Sequence, residues 1–170
     1  MDYRDYIAEI PDFPVEGVLF RDITPLLTNG EVYSKVVEEL SAYASEKKAE
    51  VIVAPEARGF LFGCPVATGL QIGFVPVRKP GKLPRESIYE EYALEYGTNR
   101  LEMHADAIVK GQKIVIIDDL LATGGTTQAA IKLVERLGGE VVGCAFVSEL
   151  VDLKGREALK GYDVLSLIQY

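Results

Sequence analysis

Lys113 to Thr127 reads KIVIIDDLLATGGTT. An apolar, β-branched run, Ile114-Val115-Ile116-Ile117, gives way to two adjacent carboxylates, Asp118 and Asp119. A turn of small and hydroxyl residues follows, Ala122-Thr123-Gly124-Gly125-Thr126-Thr127, and then an amphipathic stretch to Leu137-Gly138. A buried strand, acids and a glycine turn at a helix start suit a phosphorylated, polyhydroxylated ligand. Backbone N–H groups and the positive end of the helix dipole attract phosphate, and hydroxyl side chains add donors. Carboxylates cannot bind phosphate directly, so Asp118 and Asp119 are expected to face sugar hydroxyls or a divalent cation. No lysine follows the glycines, which removes a P-loop, and Gly-x-Gly-x-x-Gly is absent, which removes a dinucleotide fingerprint.

Working outward, continuous apolar strands alternate with helices. Val32, Val36, Leu40 and Tyr43/Ala44 recur at helical spacing within a helix expected over 31–48. Val51 to Ala54 reads as a buried strand, Gly59 to Gln71 as a helix, and Phe74 to Val77 as a strand whose Pro76 suits an irregular or an edge position. Ser87 to Met103 reads as two extended arms around Gly97-Thr98-Asn99. Thr126 to Leu137 reads as a helix capped by Gly138, and Val141–Val147 and Val164–Ile168 as further strands. The expectation is an α/β fold with a central, mostly parallel twisted sheet flanked by helices, in a single domain over 1–170. Ligands of such sheets lie at the carboxyl ends of the strands. Three loops qualify there: Pro55–Gly59, Arg78–Arg85 and Asp118–Thr127.

The formal net charge of −8 disfavours nucleic acid and acidic membrane surfaces. Four cations, Arg78, Lys79, Lys82 and Arg85, nevertheless fall within eight residues, and Arg58 sits in another glycine-containing loop. A local basic patch on an acidic chain points to a small polyanion. No run of about 18 apolar residues is present, and the acidic start Met1-Asp2-Tyr3-Arg4-Asp5 lacks a signal core, so a cytoplasmic location is expected. Cys64 and Cys144 stand in apolar stretches and are expected as buried free thiols. The one His104 cannot build a multi-histidine metal site.

The segment from Val115 to Thr127 resembles the phosphoribosyl-diphosphate motif of type I phosphoribosyltransferases. Phe20-Arg21-Asp22, Ala57-Arg58-Gly59-Phe60, Arg78 to Pro84 and Leu94-Glu95-Tyr96-Gly97 resemble, in order, segments of the adenine-specific family. The likeness spans about Ile10 to the C-terminus. It implies a small N-terminal hood and a flexible extended loop added to the sheet. It also implies transfer of ribose 5-phosphate from 5-phosphoribosyl 1-diphosphate to adenine, giving AMP and pyrophosphate with Mg²⁺ delivered on the diphosphate.

Residue roles implied by the resemblance follow the chemistry of an oxocarbenium-like sugar losing pyrophosphate. Ala122, Thr123, Gly124, Gly125 and Thr126 would hold the 5-phosphate, and Gly124→Val is expected to abolish that binding with the fold intact. Asp118 and Asp119 would contact ribose hydroxyls and reach the metal through water. Arg58 would receive the pyrophosphate. Arg78, Lys79 and Lys82 would add positive charge, with the basic loop serving the neighbouring site of a homodimer. The backbone of Leu19-Phe20-Arg21 would read the adenine edge, with Phe20 and Leu120 enclosing the ring, and Glu95 would act as the base at N9.

Two rival readings stay open at this stage. A sensor of the sugar diphosphate could keep the fold without catalysis. A transferase for a 6-oxopurine would need a hydrogen-bond donor where adenine's amino group needs an acceptor.

Overall fold

The computed structural model describes residues 1–93 and 97–170. A short hairpin, β1 (Ala8–Ile10) and β2 (Phe20–Asp22), precedes helices α1 (Thr24–Thr28) and α2 (Gly30–Glu46). Then come β3 (Val51–Pro55), α3 (Arg58–Leu70), β4 (Gly73–Val77) and an antiparallel arm, β5 (Ser87–Ala93) with β6 (Thr98–His104). The chain ends in β7 (Lys113–Leu121), α4 (Gly125–Arg136), β8 (Glu140–Glu149), α5 (Gly155–Ala158) and β9 (Val164–Gln169).

Among the described residues, five strands form one parallel sheet in the order β4-β3-β7-β8-β9. The expected central strand is central, and the proline-bearing strand is the edge, where Pro76 withholds no ladder donor from a second neighbour. β7 is apolar from Ile114 to Ile117 because both its faces are covered there. Val115 and Ile117 pack with Val36, Leu40, Phe62 and Val66 of α2 and α3. Ile114 and Ile116 pack with Ala130, Leu133 and Val134 of α4 on the opposite side. The helix α2 buries Val32, Val36, Leu40, Tyr43 and Ala44, as its spacing requires, and the Asn29 side chain caps it by accepting from Val32 N–H.

This order positions the site. The chain leaves β3 through α3 toward one sheet edge, and leaves β7 through α4 toward the other. The carboxyl ends of neighbouring β3 and β7 therefore open into a crevice at the point where the winding reverses.

Two details differ from expectation. The acids do not end the strand, since β7 runs through Asp118 and Asp119 to Leu121, pairing with β8 as far as Glu149. Cys144 is buried but Cys64 is exposed: Phe62, Gly63, Val66 and Ala67 form the buried side of α3, and position 64 falls outside it. The hairpin β1–β2 supplies the N-terminal hood, in strands of three residues each.

Candidate active site

The phosphate-loop candidate begins where β7 ends. Gly124 turns the chain with φ +88°, and α4 starts at Gly125 with no side-chain cap on its first N–H groups. The loop rests on α5. A Cβ on Gly124 would lie 2.8 Å from the Gly155 carbonyl oxygen, and one on Gly155 would lie 2.4 Å from that of Ala122. α5 is fixed in turn by Arg156, whose Nε and terminal nitrogen each reach Glu149 at 2.9 Å. Burial alone would raise the Glu149 carboxyl, but its bonds from Arg156 and Ser166 hold it below the usual range.

The paired acids diverge as adjacent strand residues must. Asp119 is 6% exposed and its Oδ2 lies 2.7 Å from Arg58 Nε. Asp118 Oδ1 accepts from the Asp119 N–H at 2.8 Å. Burial, reinforced by the neighbouring Asp119 charge and opposed by Arg58, pushes the Asp118 carboxyl well above the ordinary range. Gly59 is where α3 passes β7: a Cβ there would meet Asp118 Oδ1 at 3.0 Å and the Ile117 carbonyl at 3.2 Å.

Three adjoining cavities open on this crevice. The first, about 300 Å³, is lined by Ala122 to Thr127 together with Tyr92 and Asn99. The second, about 190 Å³, lies between Leu19, Phe20 and Arg21 of the hood and Leu120, Ser148 and Leu150 of the sheet. The third, about 370 Å³, is lined by Glu56, Ala57, Lys79, Asp118 and Thr126. Arg58 and Asp119 line all three. A polar hollow, an apolar slot and a mouth bearing Arg58 and Lys79 thus converge on one ion pair.

The second cavity has the walls of a base pocket. Phe13 meets Phe20 edge-on with ring centroids 5.2 Å apart, and the Arg58 guanidinium stands 6.0 Å from the Phe20 centroid. The Arg21 guanidinium turns away to stack on Tyr170, 4.0 Å from its ring centroid. What Arg21 offers the pocket is therefore its backbone rather than its guanidinium. β2 pairs only with β1 among the described residues, which leaves its other edge open to a planar ligand.

The same architecture occurs in solved proteins. A phosphoribosyl transferase domain model matches residues 27–166. An adenine phosphoribosyltransferase from Thermoanaerobacter pseudethanolicus is 54% identical, with TM-score 0.95, over 98% of this chain and 97% of the other. The enzyme from Rhodothermus marinus is 48% identical, with TM-score 0.93, over 98% and 96% respectively. That from Saccharomyces cerevisiae, solved with an imino-altritol bisphosphate and adenine, is 40% identical, with TM-score 0.92, over 96% and 95%. The chain belongs to the adenine phosphoribosyltransferase family.

Within this phosphoribosyltransferase, most of the expected site residues meet. Arg58, Asp118, Asp119, Leu120 and Ala122 to Thr126 share the first cavity, and Leu19, Phe20, Arg21 and Leu120 share the second. Of the basic loop only Lys79 lines the third. Arg78 points elsewhere, its Nε 3.1 Å from Glu56 Oε1 and its backbone bridged to Glu102, while Lys82 is exposed. Glu95 lies outside the described residues. Among the residues not anticipated that line the cavities of this transferase are Glu56, Tyr92, Asn99 and Ser148. Glu56 organises the basic loop by also accepting from the Lys79 N–H at 2.8 Å. Ser148 donates to the Asp119 carbonyl at 3.3 Å. Only tertiary contact reveals them, since each is an ordinary polar residue in its own segment. No described helix is long and apolar enough to cross a membrane.

Proposed function

We infer that the protein transfers ribose 5-phosphate from 5-phosphoribosyl 1-diphosphate to N9 of adenine, releasing AMP and pyrophosphate. The observation that carries this reading is the shared wall of Arg58 and Asp119 between an apolar slot, a glycine-threonine loop and a mouth that carries Lys79. A sugar placed over that wall would have its 5-phosphate, its base and its leaving group in three separate compartments. The yeast relative's pairing of adenine with a sugar bisphosphate supports the same division.

In this proposal Ala122 to Thr126 bind the 5-phosphate through amides at the start of α4 and through threonine hydroxyls. Asp119 and Asp118 face the ribose, and Asp119 also orients Arg58. Arg58 and Lys79 take up charge on the departing diphosphate, which is stabilisation that grows in the transition state. Phe20 and Leu120 hold the ring while backbone of Leu19 to Arg21 matches the N1 acceptor and 6-amino donor of adenine. The family likeness of Leu94-Glu95-Tyr96-Gly97 makes Glu95 the candidate base, and Glu95→Gln is expected to lower turnover by about 10²–10⁴-fold. Full turnover in that variant would remove it.

Mg²⁺ fits this site as a passenger of the diphosphate. Among the described residues no three His, Cys, Asp or Glu side chains are grouped to hold a metal. Asp118 and Asp119 could hold one through water, leaving the other positions to phosphate oxygens. The ion would neutralise charge on the diphosphate and orient it.

The family likeness of Arg78 to Pro84, with Lys82 exposed, supports a homodimer in which the basic loop serves the neighbouring site. Combining Arg78→Ala subunits with Arg58→Ala subunits should then restore activity above either parent, because one site per heterodimer regains both cations. A mixture no better than its parents rejects the shared site. The free thiols Cys64 and Cys144 fit a cytoplasmic protein.

The function is tested by supplying Mg²⁺, the sugar diphosphate and each purine base in turn. AMP from adenine, with no nucleotide from hypoxanthine, guanine or xanthine, is expected. A 6-oxopurine nucleotide would reject the backbone readout, and no nucleotide at all would return the chain to the sensor reading.

A further inference from the structure

Two hydroxyls meet where the arm crosses the phosphate loop. Thr126 Oγ1 lies 3.3 Å from the Tyr92 phenol oxygen, and Asn99 Nδ2 lies 3.3 Å from the same oxygen. The Tyr92 ring lies over the start of α4, so that a Cβ on Gly125 would stand 3.1 Å from its Cδ2. All four residues line the 300 Å³ cavity. The arm is tied to α4 at a second point as well. Arg136 donates to the Tyr89 carbonyl at 2.6 Å and to Glu90 Oε1 at 3.1 Å.

Proton counting gives this contact a use. Tyr92 and Thr126 each carry one hydroxyl proton, and the bond between them consumes one. Asn99 also donates to the phenol oxygen, so the pair keeps a proton to give to an acceptor in the cavity. A phosphate monoester presents only acceptors. It can take the Thr126 proton and the Tyr92 proton together, replacing one neutral bond by two charge-assisted ones.

We propose that Tyr92 is a 5-phosphate-binding residue carried by the arm: its oxygen accepts from Thr126 and Asn99, and its own O–H is free to donate to the phosphate when the donor substrate enters. The proposal rests on the reading of Ala122 to Thr126 as the 5-phosphate loop. It makes the arm part of the donor site, so phosphate occupancy holds β5 down on α4 and helps exclude water from the crevice.

The test is Tyr92→Phe, which keeps the ring over Gly125 and removes only the hydroxyl. Ribose 5-phosphate and pyrophosphate, each used as an inhibitor competing with the sugar diphosphate, separate the two ends of the donor. The inhibition constant of ribose 5-phosphate and the KM for the sugar diphosphate should each rise about tenfold, or roughly 1.4 kcal/mol for one bond to a charged group. The pyrophosphate inhibition constant, the KM for adenine and the thermal midpoint should stay unchanged. Unaltered ribose 5-phosphate inhibition in the variant overturns the proposal, and so does an equal weakening for pyrophosphate. Failure of ribose 5-phosphate to compete even with the unsubstituted enzyme would instead remove the phosphate-loop reading, and the proposal with it.

Discussion

Arg58→Ala is expected to lower kcat by about 10²–10³-fold while the KM for adenine changes little. Arg58 is half-exposed at the common wall of the three cavities, and Asp119 holds it there at 2.7 Å. Under the proposed assignment its charge faces the compartment of the leaving group, where negative charge grows as the bond from the sugar to pyrophosphate breaks. Binding that strengthens in the transition state appears in kcat, whereas uniform binding appears in KM. The variant also strands Asp119, a 6%-exposed carboxylate, without its cation. Some loss of stability should therefore accompany the kinetic effect. Arg58→Lys should recover part of kcat but not all, because an ammonium keeps the charge and loses the planar fork. Steady-state kinetics of both variants decide the matter. A rise in KM for the sugar diphosphate at constant kcat would make Arg58 an anchor for substrate rather than for the leaving group.

Gly124→Val is expected to abolish donor binding, and here the structure corrects the expectation of an untouched fold. Valine at φ +88° would be strained by about 1–2 kcal/mol for its backbone alone. Its Cβ would also approach the Gly155 carbonyl to 2.8 Å and the Ala158 Cβ to 2.9 Å, both parts of the support beneath the loop. Binding and stability should thus fall together, seen as lost donor affinity by titration calorimetry and a lower denaturant midpoint. Gly125→Ala is the milder comparison, since a Cβ there meets the Tyr92 ring at 3.1 Å and no backbone. A Gly124→Val protein with ordinary stability and donor affinity would contradict the packing of loop on α5.

The central strand was readable because its chemistry is local. Four β-branched residues in a row demand cover on both faces, and glycines with threonines behind two acids mark a turn built around an anion. The helix α2 was readable from spacing alone. β2 was not, because Phe20-Arg21-Asp22 has no alternation and is a strand only by pairing with Ala8 to Ile10. The basic loop showed its charge in sequence but not its direction. Arg78 bridges Glu102 through its backbone, which sends its side chain to Glu56, while Lys79 alone reaches the cavity. Cys64 looked buried from its apolar neighbours, yet the helical turn places it on the outer side of α3. Tyr92 and Asn99 lie more than twenty residues before Thr126 in the chain, and no local pattern links an arm tyrosine to a distant helix start.

A co-crystal with AMP and pyrophosphate tests the division of the crevice most directly. The adenine ring should lie between Phe20 and Leu120 with its N1 edge on the backbone of residues 19–21. The 5-phosphate should sit on the amides of Gly124 to Thr126, and pyrophosphate should meet Arg58 and Lys79. Adenine outside the hood slot, or a phosphate bound away from the start of α4, would contradict the assignment of the three compartments.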